Sequence, residues 1–181
     1  MREDRMKQGM KNSWQVATAA EAFAAAQFSR CGWDISVQYG ANQPEYDLVA
    51  VDGDRMIKVS VKGSKDGSWG LTQSLLSNAD YHAAADAWLL KHTRKTVFCF
   101  VQFKDVAVTD LPRMYLARPT EVAAWLKACA AGRGDTILHE EHAWTPRAQA
   151  TGTIDRIPAA WRFDQTRLEE IAGNEGIGSP T

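Results

Sequence analysis

No stretch of the chain is apolar for the roughly 20 residues that a membrane helix requires, and its first residues, MREDRMKQGMKNSW, lack the apolar centre of a signal peptide. A cytoplasmic location is the expectation. Cysteine is scarce: Cys31, Cys99 and Cys129 stand singly in apolar or helical segments, which argues against a disulfide framework or a zinc site and for reduced, buried thiols. Charge of one sign is lacking too. A net charge of −1 gives no global basic field, so a nucleic-acid partner would have to be held by a local patch. Lys58, Lys62 and Lys65 form one such group. Lys91, His92, Arg94 and Lys95 form another, which a solvated helix end explains equally well. No internal repeat or heptad run occurs, and no glycine-rich loop followed by lysine and serine or threonine precedes a helix, which excludes the common NTPase design. Serines and histidines occur in no order that suggests a hydrolase triad.

What remains is an ordinary globular composition, 45% hydrophobic and 24% charged over 181 residues, long enough to bury a core without staples. Residues 13 to 31, SWQVATAAEAFAAAQFSRC, place Val16, Ala20, Phe23, Phe28 and Cys31 near one helical face, and Gly32 is positioned to end that helix. WDISVQY alternates as a half-buried strand. YDLVAVDGDRMIKVSVKGS, residues 46 to 64, reads as a hairpin, and GSKDGSWG after it as an exposed loop. LTQSLLSNADYHAAADAWLLKH is largely helical with a break near Ser77 and Asn78. TVFCFVQF, residues 96 to 103, is the continuous apolar run of a strand covered on both faces. A short strand at 114 to 118, a helix from Pro119 to the region of Gly132, a strand in DTILHEE and a helix over 165 to 171 behind Asp164 complete the pattern. The expected architecture is α/β, a mixed sheet flanked by helices, in a single domain with a core over 13–131, a C-terminal extension over 132–172 and a tail over 173–181.

Two strands of the hairpin carry charge at unusual places. A turn over Asp52 to Arg55 sets Val51 opposite Met56, and counting back sets Asp47 opposite Ser60 and Glu45 opposite Lys62. Leu48, Ala50, Ile57, Val59 and Val61 then share a buried face, while Asp47, Ser60 and Lys62 project together from the other. Directly opposed Cβ atoms lie about 5 Å apart, so a carboxylate, a hydroxyl and an ammonium meet at one end. A cross-strand salt bridge on a solvated surface accounts for the same pattern.

The order helix, strand, hairpin, helix, strand, with an acid in YDLVAV and a lysine in IKVSVKGS after the acid-bearing helix EAFAAAQFSRCGWDI, resembles the PD-(D/E)XK nuclease superfamily, which joins restriction enzymes, Holliday-junction resolvases and repair nucleases. The resemblance covers residues 13 to about 103. It implies a restriction-endonuclease-like fold, a bound Mg²⁺ or Mn²⁺, and hydrolysis of DNA. It assigns Asp47 to the metal and Lys62 to the attacking water, with Glu21 as an additional acid. Phosphodiester hydrolysis needs neutralisation of phosphate charge and a nucleophilic water, both of which a carboxylate-held Mg²⁺ supplies, and a lysine near that water orients it or helps accept its proton.

Ser60 departs from the family pattern, which has Asp, Glu or Gln there. Glu45 or Glu21 is then the candidate for the missing ligand, with Gln73 a weaker one. Lys58, Ser64 and Lys65 are the expected phosphate-gripping residues, and Trp69 a base-stacking one. A catalytically inactive DNA-binding or protein-interaction module on the same fold is the alternative. HEEH at 139 to 142 reads as a solvated strand segment with His139 and Glu141 on one face. A homodimer is expected, because one small domain of such low charge holds DNA weakly.

Overall fold

The computed structural model describes residue 10 and residues 12–38, 45–130, 136–145 and 153–173. Helix α1, Ser13–Arg30, starts where the Asn12 side chain accepts a hydrogen bond from the Gln15 N–H at 2.9 Å, satisfying one of the four donors a helix start leaves free. It ends before Gly32, whose φ of +89° suits glycine. Strands β1 (Asp34–Val37), β2 (Leu48–Asp52) and β3 (Arg55–Ser64) follow. The β2–β3 register is the one the turn specifies, with Val51 opposite Met56 and Leu48 opposite Val59. Strands β5 (Thr96–Gln102) and β6 (Arg113–Ala117) complete a five-stranded sheet in the order β1-β2-β3-β5-β6, parallel only between β3 and β5.

The sheet separates two apolar layers. Leu48, Ala50, Ile57, Val59 and Val61 face Ala20, Ala24 and Phe28 of α1 and Leu168 and Ile171 of α4, Gln165–Gly173. Phe98 and Phe100 point the other way, to α2 (Tyr81–Leu89) and α3 (Pro119–Ala130). Strand β5 is buried at every position, as its uninterrupted apolar sequence requires. The Asp164 carboxylate caps α4, accepting from Arg167 N–H at 2.8 Å.

Several expectations need correction. The segment after Lys62 is not a long loop: β3 runs to Ser64, three residues bend, and β4 (Ser68–Gly70) pairs with β7 (Ile137–His139). Residues 71–92 form a 3-10 turn over Gln73–Leu75 and then α2, because Asn78 and Ala79 both have positive φ, which a right-handed helix excludes. HEEH is not one strand. Glu140 turns inward between β7 and β8 (Glu141–Ala143), which pairs with β9, Ile154–Arg156, and the His139 and His142 rings stack at 4.3 Å. The three cysteines are free, with Cys99 and Cys129 buried and Cys31 half-buried. Among the described residues no helix is long and apolar enough to cross a membrane.

Helix α1 lies unusually close to β3. A Cβ on Gly63 would stand 2.8 Å from the Val16 carbonyl oxygen and 2.9 Å from the Ala20 Cβ, so only glycine fits without moving the helix. We expect Gly63→Ala to cost about 1–3 kcal/mol of stability; a denaturation midpoint equal to wild type would show that α1 yields freely.

A carboxylate and lysine cleft where the hairpin opens

The β2–β3 ladder stops at Leu48 and Val59, although β3 continues for five more residues beside β5. Asp47 terminates it. Its backbone N–H donates to Val59 O at 2.8 Å, and its Oδ2 accepts from the Val61 N–H at 2.6 Å. A side chain thus replaces the next backbone rung, holding the carboxylate against β3 with its other oxygen unused by that bond. Beyond this point the sheet parts, and residues from both of its faces reach one opening.

The opening is a cleft of about 320 Å³ lined by Glu21, Asp47 and Lys62, with Ser13, Ala17 and Gly63 among its walls. Ser13, Ala17 and Glu21 are spaced four apart and so lie along one face of α1. The small side chains at 13 and 17 leave the space that Glu21 borders. The Lys62 backbone is fixed from behind, where its carbonyl accepts from the Trp69 indole N–H at 2.8 Å. Burial raises the Glu21 pKa above the ordinary carboxylate value, the Asp47 charge raises it further, and Lys62 opposes both. Glu21 therefore feels both of the other charges.

Other expected site residues are elsewhere. Ser60 does not line the cleft; at 2% exposure it is part of the interior. Glu45 is not opposite Lys62, because the ladder has already ended, and its carboxylate lies 3.7 Å from His92 Nδ1. Trp69 cannot stack on a base: it is 3% exposed and packed against Phe100 and Tyr115. Ser64 is buried and donates to the Asp66 carboxylate at 2.9 Å, ordering the bend instead of presenting a hydroxyl to a ligand. Lys65 is exposed, with Nζ on the Met10 carbonyl at 2.8 Å, and Lys58 lies over the Tyr46 ring. Gln73 is exposed beyond the cleft, its Oε1 beside Gly70.

A solved structure shares this architecture. The bacterial homing endonuclease I-Ssp6803I superposes with a TM-score of 0.50 over 94% of this chain and 100% of its own, at 13% sequence identity. At that identity the likeness is one of fold. No protein-family model matches the sequence, and no curated protein does. The α/β arrangement expected from the order of elements, a mixed sheet with helices on both faces, is thus present.

Sequence inspection missed two supports of the cleft. The Asp47 bond to the Val61 amide depends on where the ladder ends, which no residue pattern marks. The Trp69 bond to Lys62 was concealed by its position in a glycine- and serine-rich segment that resembles a loop.

The raised Glu21 pKa has a consequence for stability. The folded chain binds this proton more tightly than the unfolded chain, so the stabilisation is full below the unfolded pKa and is lost as pH rises through the folded one. Glu21→Gln should therefore raise the melting temperature at pH 7 and not near pH 4. Thermal unfolding at both values tests this, and an equal shift at both would remove the electrostatic account of Glu21.

Proposed function

We propose that the chain is a metal-dependent DNA endonuclease of the PD-(D/E)XK kind, with Glu21 and Asp47 as carboxylate ligands of Mg²⁺ or Mn²⁺ and Lys62 as the residue that positions the attacking water. The observation that carries this reading is the convergence of these three side chains, from α1, the residue before β2 and the C-terminal end of β3, on one cleft. The fold shared with a protein named as a homing endonuclease supports it. The donor set suits a hard cation: burial first, and then the Asp47 charge, raise the proton affinity of Glu21, and a cation held by both carboxylates would offset both. Among the described residues no group of three or more His, Cys, Asp and Glu side chains is arranged to hold a metal ion; Mg²⁺ commonly uses one or two carboxylates and completes its shell with water and substrate phosphate.

When bound, the ion supplies charge neutralisation for the phosphate and lowers the pKa of a water. The residues of the chain do the rest. Asp47, oriented by the Val61 amide, presents an oxygen in a fixed direction. Lys62, whose backbone is held by Trp69, directs its ammonium toward the water and the scissile phosphate, and assists proton removal. Glu21 supplies the second carboxylate that a serine at position 60 does not.

Ser60 also favours a second reading. Its buried hydroxyl stands where the superfamily carries an acid or amide, so a domain that binds DNA without cutting it is the competing function. With Mg²⁺ or Mn²⁺ present, the nuclease reading predicts cleavage of single-stranded, duplex or branched DNA. Asp47→Ala should abolish it, and Lys62→Ala should lower the rate roughly 10²–10⁴-fold. Inertness on all three substrates with either metal would select the silent module, and cutting that survives Asp47→Ala would remove this mechanism. The functional unit we propose is a homodimer, which joins two weak DNA-binding faces. Light scattering checks this, and a monomer that holds DNA tightly at physiological salt would overturn it.

A further inference from the structure

A second and larger cleft, about 540 Å³, opens beside the edge strand β6 and is lined by Arg113, Arg156 and Arg162 together with Tyr115, Glu140 and Glu141. Three guanidiniums meet two carboxylates there, a local positive excess in a chain of net charge −1. The two carboxylates are unequal. Glu140 is fully engaged: Arg113 grips it with two bonds of 2.7 and 2.8 Å, and the Tyr115 hydroxyl donates to it at 2.7 Å. Burial disfavours its ionisation, but those hydrogen bonds prevail and hold its pKa below the usual value. Among the described residues Glu141 pairs with Arg156, the two side chains being 63% and 62% exposed, and water screens such a contact to little worth.

Arg162 is the informative residue. It is exposed, its guanidinium lies 5.5 Å from the Tyr115 ring centroid, and its charge favours the ionised forms of both Tyr115 and Glu140, with no direct ion-pair contact to a carboxylate among the described residues. Arg113 thus organises the wall, while Arg156, held only by a solvent-exposed pair, and Arg162, beside the Tyr115 ring, line the opening. A guanidinium presents paired donors that match phosphate oxygens.

This cleft adjoins the one that holds Asp47 and Lys62. The Trp69 indole bonds Lys62 on one side and stands edge-on to the Tyr115 ring on the other, 6.4 Å between centroids. Glu140 N–H donates to the Gly67 carbonyl at 2.9 Å, so the wall of the arginine cleft is tied to the bend that follows the Lys62 strand. Positive charge also continues outside it. Exposed Lys104 runs over Gly67, and its carbonyl accepts from Arg113 at 2.9 Å; Lys65 lies in the same bend. The charge is therefore spread along a path longer than one small anion.

We infer that the arginine cleft holds the phosphodiester backbone of a DNA strand whose continuation passes the Asp47 and Lys62 cleft, with Arg156 and Arg162 as the phosphate contacts. This rests on DNA being the substrate of the neighbouring cleft, and it adds a binding surface to it. Contacts of this kind position a strand and carry no sequence information. They also give binding a dependence on salt that falls with each phosphate contact removed.

The experiment uses the full chain, a fluorescein-labelled DNA duplex and its single strand, and fluorescence anisotropy in EDTA across a series of chloride concentrations. Arg113 is left intact, since its removal would strand Glu140 in the wall. Arg156→Ala/Arg162→Ala, at two exposed positions, should weaken binding roughly ten-fold and flatten the salt slope by about two, while Arg156→Lys/Arg162→Lys keeps most of the slope. A double alanine variant with wild-type affinity and slope overturns the inference. So does displacement of DNA from the wild type by millimolar inorganic phosphate at constant ionic strength, which would make the cleft a small-anion pocket. Metal-dependent cutting together with unaltered binding in the variant removes this site and leaves the nuclease. Weakened binding in a chain that cuts nothing with any metal keeps this site and removes the nuclease.

Discussion

The contact between α1 and β3 at Gly63 governs the geometry of everything around the candidate site. A helix normally stands off a sheet by the depth of the side chains between them. Here the missing side chain lets the Val16 carbonyl and the Ala20 methyl come against the strand backbone. That approach sets the height of Glu21, one residue after Ala20, and brings its carboxylate into electrostatic reach of Asp47 and Lys62. The alanines of α1 have the same origin. Ala20 and Ala24 are fully buried, and larger residues would lift the helix and separate the acid from its partners.

A second constraint acts within the sheet. Strands β2 and β3 cannot pair to their ends and also leave a cleft, so the ladder must be broken at a defined residue. Asp47 breaks it and compensates the amide it exposes, because the carboxylate takes the Val61 N–H that a backbone carbonyl would otherwise take. A buried unmet donor costs free energy comparable to a lost hydrogen bond, so this arrangement makes the opening compatible with stability. The aromatic layer on the other side closes the structure: Trp69 packs on Phe100 and Tyr115, holds the Lys62 backbone, and separates the two clefts. The tryptophan expected to meet a nucleic-acid base is instead the partition between two charged surfaces.

Local chemistry made much of this architecture legible. Alternation in the hairpin identified Leu48, Ala50, Ile57, Val59 and Val61 as one buried face, and the turn over Asp52 to Arg55 set the register, since strand periodicity and turn length admit few alternatives. The apolar run at 96–102 gave a central strand, and the spacing in 13–30 gave the first helix. The meeting of Asp47, Lys62 and Glu21 in one cleft follows from those same elements. What alternation does not contain is where pairing ceases, and so Glu45 and Ser60 were expected in the cleft and stand outside it.

By itself, then, the sequence determined the helices, the strand faces, the hairpin register and the acid and lysine that flank its open end, all of which depend on residues near one another in the chain. Tertiary structure decided the rest. A serine- and glycine-rich segment became β4 because β7, some 70 residues later, supplied a partner for its backbone. Glu140 turned inward because Arg113 and Tyr115 of β6 offered three donors that outweigh the cost of burying a carboxylate. No local pattern encodes such pairings, since each residue's preference alone is for water and only the partner brought by the fold reverses it.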